Sequence, residues 1–77
     1  MQYVMVGKIN EVNRDFRYVV STSNRKVPSE TLIWFYHQQI NEWVSLKVTK
    51  MGEDWVSASV PSSMMLPKAN SPVYIGK

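Results

Sequence analysis

The sequence contains no cysteine, so disulfide staples and thiolate metal ligands are both excluded. It has a single histidine, His37, with no second imidazole, thiol or nearby carboxylate pair to complete a metal site or a catalytic triad. His37 therefore reads as a surface or helix-face residue. The three glycines stand at positions 7, 52 and 76, too far apart to form a phosphate-cradling loop. No serine sits in a nucleophile elbow. Apolar residues never run long enough for a membrane helix. Only six acids are present, and they are scattered. Together these absences argue against an enzyme, against a resident cofactor or metal, and against membrane insertion.

What remains is 77 residues, 44% hydrophobic and 12% aromatic, including three Trp, four Tyr and two Phe. That is too apolar for a disordered chain and sized for one small domain that buries only about 60% of its unfolded surface. A formal charge of +3 mildly favours acidic partners. The opening Met1-Gln2-Tyr3-Val4-Met5-Val6 has no basic leader and too short an apolar run for a signal sequence, so a cytoplasmic location is expected. The oligomeric state is not readable.

Residues 2–12 read as a strand whose alternation slips at Gly7, because Val4 and Val6 are in phase with Val12 and Ile9 is not. A glycine at a phase change suggests a bulge or a sharp coil. Asn13-Arg14-Asp15 reads as a turn and residues 16–22 as a second strand, with Phe16, Tyr18 and Val20 on one face. Residues 29–40 admit two readings. Ser29 as a cap with Glu30 in the first turn, and Leu32, Phe35, Tyr36 and Ile40 at helical spacing, favour a short helix. The run Thr31–Tyr36 has strand propensity, but the capping signals incline the reading to the helix. Residues 42–60 form the clearest element, a β-hairpin in which Val44, Leu46, Val48, Val56, Ala58 and Val60 share one face. Trp43, Lys47 and Trp55 lie on the other. Three of the four prolines fall in residues 61–77, which read as an extended tail with one edge strand or hook at Val73-Tyr74-Ile75. The expected organisation is a domain over residues 1–60 and a Pro-rich tail over 61–77.

Gly7-Lys8-Ile9-Asn10-Glu11-Val12 looks like the opening of the S-one-type RNA-binding OB fold, in which a Gly-x-Val-x-x-Val pattern coils the first strand. Lys26–Leu32 resembles that family's third strand running into its short helix, Glu42–Val48 its fourth strand, and Val56–Val60 its closing strand. Asp15-Phe16-Arg17-Tyr18-Val19-Val20 is similar to the second strand of bacterial translation initiation factor one and of cold-shock domains. The resemblance spans about residues 4–60. The glycines that flank the second-strand aromatics in those families are missing here, Pro28 replaces a frequent polar contact residue, and Trp55 replaces a frequent basic one. It implies a mostly β, five-stranded OB-like barrel with a short helix between the third and fourth strands. An SH3-like barrel is the alternative.

On this reading the chain is a non-enzymatic module for single-stranded RNA or DNA. Phe16, Tyr18 and Trp55 would stack on bases, and Arg17, Arg25, Lys26 and Lys47 would contact phosphates, with Arg14 and Lys50 as further cations. The competing reading of Phe16 and Tyr18 is core, since they share a face with Val20. A charge of +3 limits non-specific affinity to a dissociation constant on the order of 10⁻⁴–10⁻⁶ M. The second functional reading is an accessory or inhibitory subunit that docks on a larger, acidic protein through Trp43, Trp55, Met64, Met65 and Tyr74. The tail's prolines could instead cover the two indoles, and Met64-Met65-Leu66 could pack on the domain itself.

Overall fold

The computed structural model describes residues 2–76. Six strands form it: β1 (Tyr3–Asn13), β2 (Tyr18–Thr22), β3 (Leu32–His37), β4 (Glu42–Met51), β5 (Trp55–Ser59) and β6 (Pro72–Gly76). They close into a barrel in the order β1-β2-β5-β4-β3-β6, and every pairing is antiparallel. Closure gives every strand two neighbours, with β1 and β4 each pairing one partner along one half and the other along the rest.

The expected helix is absent among the described residues. Residues 32–37 form β3 instead, because alternation buries Ile33, Phe35 and His37 inside the barrel while Leu32, Trp34 and Tyr36 point out. A helix with Leu32, Phe35, Tyr36 and Ile40 as its stripe would have left Ile33 outside the core. Five strands become six because residues 72–76, expected to be an edge strand or hook of a tail, pair with β1 on one side and β3 on the other. Pro72 stands at the first position of β6, where its missing N–H is tolerated. Lys26–Thr31, likened to a third strand entering a helix, lies in the loop between β2 and β3, with Val27 fully buried as a plug.

The hairpin β4–β5 matches its sequence pattern. Val44, Leu46, Val48, Val56, Ala58 and Val60 all face the core, beside Val6, Ile9, Val19, Ile33, Phe35 and Val73. The slip at Gly7 is also real, since the β1–β6 register shifts between Met5 and Gly7. The cause is a close approach rather than an unusual φ. A Cβ on Gly7 would sit 2.0 Å from the Thr22 carbonyl oxygen and 2.5 Å from its Oγ1.

Residues 60–71 cross one end of the barrel and are pinned from several directions. Val60 N–H donates to the Arg17 carbonyl at 2.8 Å, Ile9 N–H to the Ser71 carbonyl at 2.9 Å, and Asn70 N–H to the Ile9 carbonyl at 2.6 Å. Met64 and Leu66 pack against the core from this crossing, which is the self-packing alternative for Met64. His37, expected on a surface, is only 1% exposed. Its Nε2 lies 2.7 Å from the Met65 carbonyl, and a carbonyl only accepts, so Nε2 carries the proton of that bond. The histidine is thus an internal strut for the crossing.

Candidate ligand-binding surfaces

Two troughs of exposed and half-buried aromatic rings lie on opposite stretches of the barrel's outer wall. The first is built on β1, β2, β4 and β5. Alternation puts Val19 and Ser21 of β2 inside, so Tyr18, Val20 and Thr22 point out. This decides the alternative for Phe16 and Tyr18, because the face they share with Val20 is the outer one. Phe16 lies in the turn before β2, not in the strand, and is 80% exposed. That turn is set by Asn13, whose Oδ1 accepts from the Phe16 N–H at 2.8 Å, and by Arg17, which takes a left-handed φ of 53°. Cross-strand registers place Glu11, Val20, Ser57 and Lys50 in one row and Tyr18 beside Ser59 in the next. Trp55, 38% exposed, pairs with Thr22 at the far end. Its indole packs over Gly52, where an added Cβ would meet Nε1 at 2.0 Å. Phe16, Tyr18, Trp55 and Lys50 surround a depression of about 400 Å³.

The expected cations distribute unevenly around this trough. Arg17 is turned away: its Nη2 donates to the carbonyl of Pro61 at 2.9 Å and to that of Met64, while its Nε is buried without a partner. The guanidinium therefore ties the 60–71 crossing to the β1–β2 turn. Arg25 and Lys26 are exposed on the loop after β2, outside the lining. Ser23 N–H donates to the Asp54 carbonyl at 2.8 Å, which brings the start of that loop to the Trp55 end of the trough. Lys47 is exposed on β4 opposite Leu32, towards the second trough. Lys50, treated in the sequence only as an extra cation, is the one that lines the first. Glu11 also lines it and accepts from the Tyr18 hydroxyl at 3.3 Å.

The second trough is built on β1, β6, β3 and β4. Trp34 is flanked by Tyr74 on β6 and Ser45 on β4, and Tyr74 in turn by Met5 on β1. Tyr36 stands beside Trp43, which is 57% exposed. Three edge-to-face contacts knit the rings: Tyr3–Trp34 with centroids 5.6 Å apart, Trp43–Tyr74 at 5.6 Å and Tyr36–Trp43 at 5.7 Å. Tyr3, Trp34, Trp43 and Tyr74 line a depression of about 510 Å³. Trp43 and Tyr74 were candidate docking residues, and they meet here. Trp55 belongs to the other trough, and Met65 is exposed on the end crossing. Tyr3 and Trp34 escaped the sequence reading, since a strand over residues 32–37 was needed to see Trp34 and Tyr36 as outward neighbours.

Among the described residues no group of three or more His, Cys, Asp or Glu side chains is placed to hold a metal ion. No helix is long and apolar enough to cross a membrane. The chain is thus a small, closed, six-stranded antiparallel β-barrel with two exposed aromatic troughs. Comparison with known families, curated proteins and solved structures gives no match.

Proposed function

We propose that the protein is a non-enzymatic binding module for single-stranded nucleic acid, RNA in the first instance, acting through the trough on β1, β2, β4 and β5. The supporting observation is the convergence of Phe16, Tyr18 and Trp55 with Lys50 around one depression. Base–aromatic stacking is worth about 1–3 kcal/mol per base, and every base offers a ring face, so three platforms around one depression suit a flexible single strand. Phe16 presents most of its surface to solvent in a domain too small to waste apolar area, which is itself a reason to look for a ligand there. Lys50 lies within the trough, and Arg25 and Lys26, exposed on the loop whose start meets the Trp55 end, supply the remaining phosphate contacts, whereas Lys47 faces the second trough and takes no part. Arg17 acts indirectly, by fixing the turn that presents Phe16. The resemblance to OB-type RNA-binding domains belongs to the same reading, through its aromatic second-strand segment.

The test is a titration of a fluorescein-labelled single-stranded oligoribonucleotide at two salt concentrations. With about three phosphate contacts the log–log salt slope is near −2, so affinity falls roughly twentyfold between about 50 and 200 mM salt. Phe16→Ala and Trp55→Ala each weaken binding by about 1–3 kcal/mol. Absence of binding at the lower salt, or full affinity in both variants, refutes the proposal.

A further inference from the structure

We infer that the second trough, between Tyr3, Trp34, Trp43 and Tyr74, is a docking site for a proline-rich, extended peptide segment of a partner protein with acidic residues on both flanks. The inference is independent of the nucleic-acid reading, which uses other residues. The lining chemistry selects the occupant. The four described residues that line the trough are all aromatic, so among the described residues the lining has no cation to neutralise phosphates. The polar side-chain atoms these four residues carry are two indole N–H groups, which only donate, and two phenol hydroxyls. A matching ligand brings carbonyl acceptors and few competing donors. A polyproline II segment does so: it has no internal hydrogen bonds, and its prolines lack N–H. Such segments dock in aromatic-lined grooves because their shape is preformed.

Geometry removes the main competing modes. Each strand already has a neighbour on both sides, so no strand offers a wholly free edge to an added peptide strand. A volume of about 510 Å³ falls in the size range of sites for drug-sized ligands and is several times that of a single ammonium group. The two edge-to-face pairs, Tyr3–Trp34 and Trp43–Tyr74, form its aromatic walls.

Charge fixes the flanks. The face is bracketed by two exposed lysines at diagonally opposite corners. Lys8 on β1 pairs with Pro72 at one end of β6, and Lys47 on β4 pairs with Leu32 at the start of β3. The ladder sets Tyr3 opposite Gly76, on the Leu32 side of the Trp34–Tyr74 pair, and Pro72 on the other side. A peptide lying across the rings therefore meets one ammonium group at each end. Apolar centre with acidic ends is the complement of this surface.

The probe is a synthetic hexaproline with a pair of glutamates at each end, titrated against the full chain by tryptophan fluorescence and by calorimetry, beside a lysine-flanked hexaproline and a glutamate-flanked Gly-Ser peptide. The expected result is saturable binding of the glutamate-flanked hexaproline, at least tenfold tighter than either control. Trp43→Ala, at an exposed position that leaves the barrel folded by circular dichroism, weakens it at least tenfold. The double reversal Lys8→Glu with Lys47→Glu inverts the preference towards the lysine-flanked peptide. Equal binding of the two flanked hexaprolines, or binding indifferent to Trp43→Ala, overturns the inference. So does displacement of the peptide by single-stranded RNA whose binding Trp43→Ala abolishes and Phe16→Ala spares. A dimer in sedimentation equilibrium that Trp43→Ala dissolves, with no peptide binding, assigns the face to a second copy and overturns it too.

Discussion

Replacing Gly7 with alanine separates two opposing effects by the sign of the outcome. Gly7 does not occupy a positive φ, so an alanine there is allowed by the local backbone. In open surroundings the substitution would stabilise the domain by about 0.4–1 kcal/mol, through the lost freedom of the unfolded chain. The surroundings are not open. The new methyl would lie 2.0 Å from the Thr22 carbonyl oxygen, a full ångström inside the 3.0 Å that real Cβ contacts respect. Its second and third neighbours, the Thr22 carbonyl carbon and Oγ1, are both at 2.5 Å. Two of these three atoms are backbone, so no rotamer change relieves the collision. The β1–β2 ladder must open locally, where Thr22 Oγ1 also accepts from the Lys8 N–H at 3.0 Å. Overpacking of this kind costs typically 1–3 kcal/mol.

Set against the entropic gain, the net destabilisation is about 1.3 kcal/mol. A domain this small has a total stability on the order of 4–12 kcal/mol. The melting temperature should then fall by roughly 5–10 °C. Urea unfolding followed by tryptophan fluorescence gives the free energy, and calorimetry gives the melting temperature. A Gly7→Ala protein as stable as the parent, or more stable, would refute the close-approach argument for the coil of β1.

Gly52→Ala should behave differently, because the colliding group is the Trp55 indole, a side chain with room to move. Unfolding free energy should change by about 0.5 kcal/mol or less, while Trp55 emission shifts and RNA affinity drops; an unchanged affinity counts against Trp55 as a platform. Arg17→Ala should cost about 1.5–3 kcal/mol, the range for hydrogen bonds from a charged group, with the Pro61 and Met64 carbonyls losing their donor. Its RNA salt slope should stay that of the parent, and a loss of about one unit would restore Arg17 as a phosphate contact. Phe35→Ala removes the largest fully buried side chain and should cost about 3–5 kcal/mol, measured by denaturant unfolding.

The hairpin β4–β5 was readable because its faces differ: aliphatic inwards, mostly serine, threonine and lysine outwards. β3 was not, and the reason is the same physics. Its outer positions carry Leu32, Trp34 and Tyr36, so the polar half of the alternation is missing. With both faces apolar the period disappears, and the local capping signal of Ser29 and Glu30 dominates the reading. β6 was hidden by prolines, which mark breaks locally but tolerate the first position of a strand. Its pairing with both β1 and β3 is a long-range fact that no local window contains. The roles of Arg17 and His37 were out of reach for a like reason, since their partners lie 44–47 and 28 residues away along the chain.

The same argument explains why Tyr3 and Trp34, two of the second trough's four rings, were missed. The trough around Phe16 and Tyr18 draws these two rings from neighbouring positions in the chain, and sequence proximity exposed them as candidates. The other trough takes Tyr3, Trp34, Trp43 and Tyr74 from four strands, and only closure of the barrel brings them together. Closure is also what makes the exposure informative. An open sheet could leave aromatic residues outward for a missing neighbouring strand, but here each strand already has both neighbours. The outward rings complete nothing within the fold. A 77-residue domain gains stability by burying such rings, each worth roughly 1.5–3 kcal/mol when fully covered. Two separate troughs that forgo that gain are therefore the places to test for ligands, one lined by both Lys50 and Glu11 and the other, among the described residues, by aromatic rings alone.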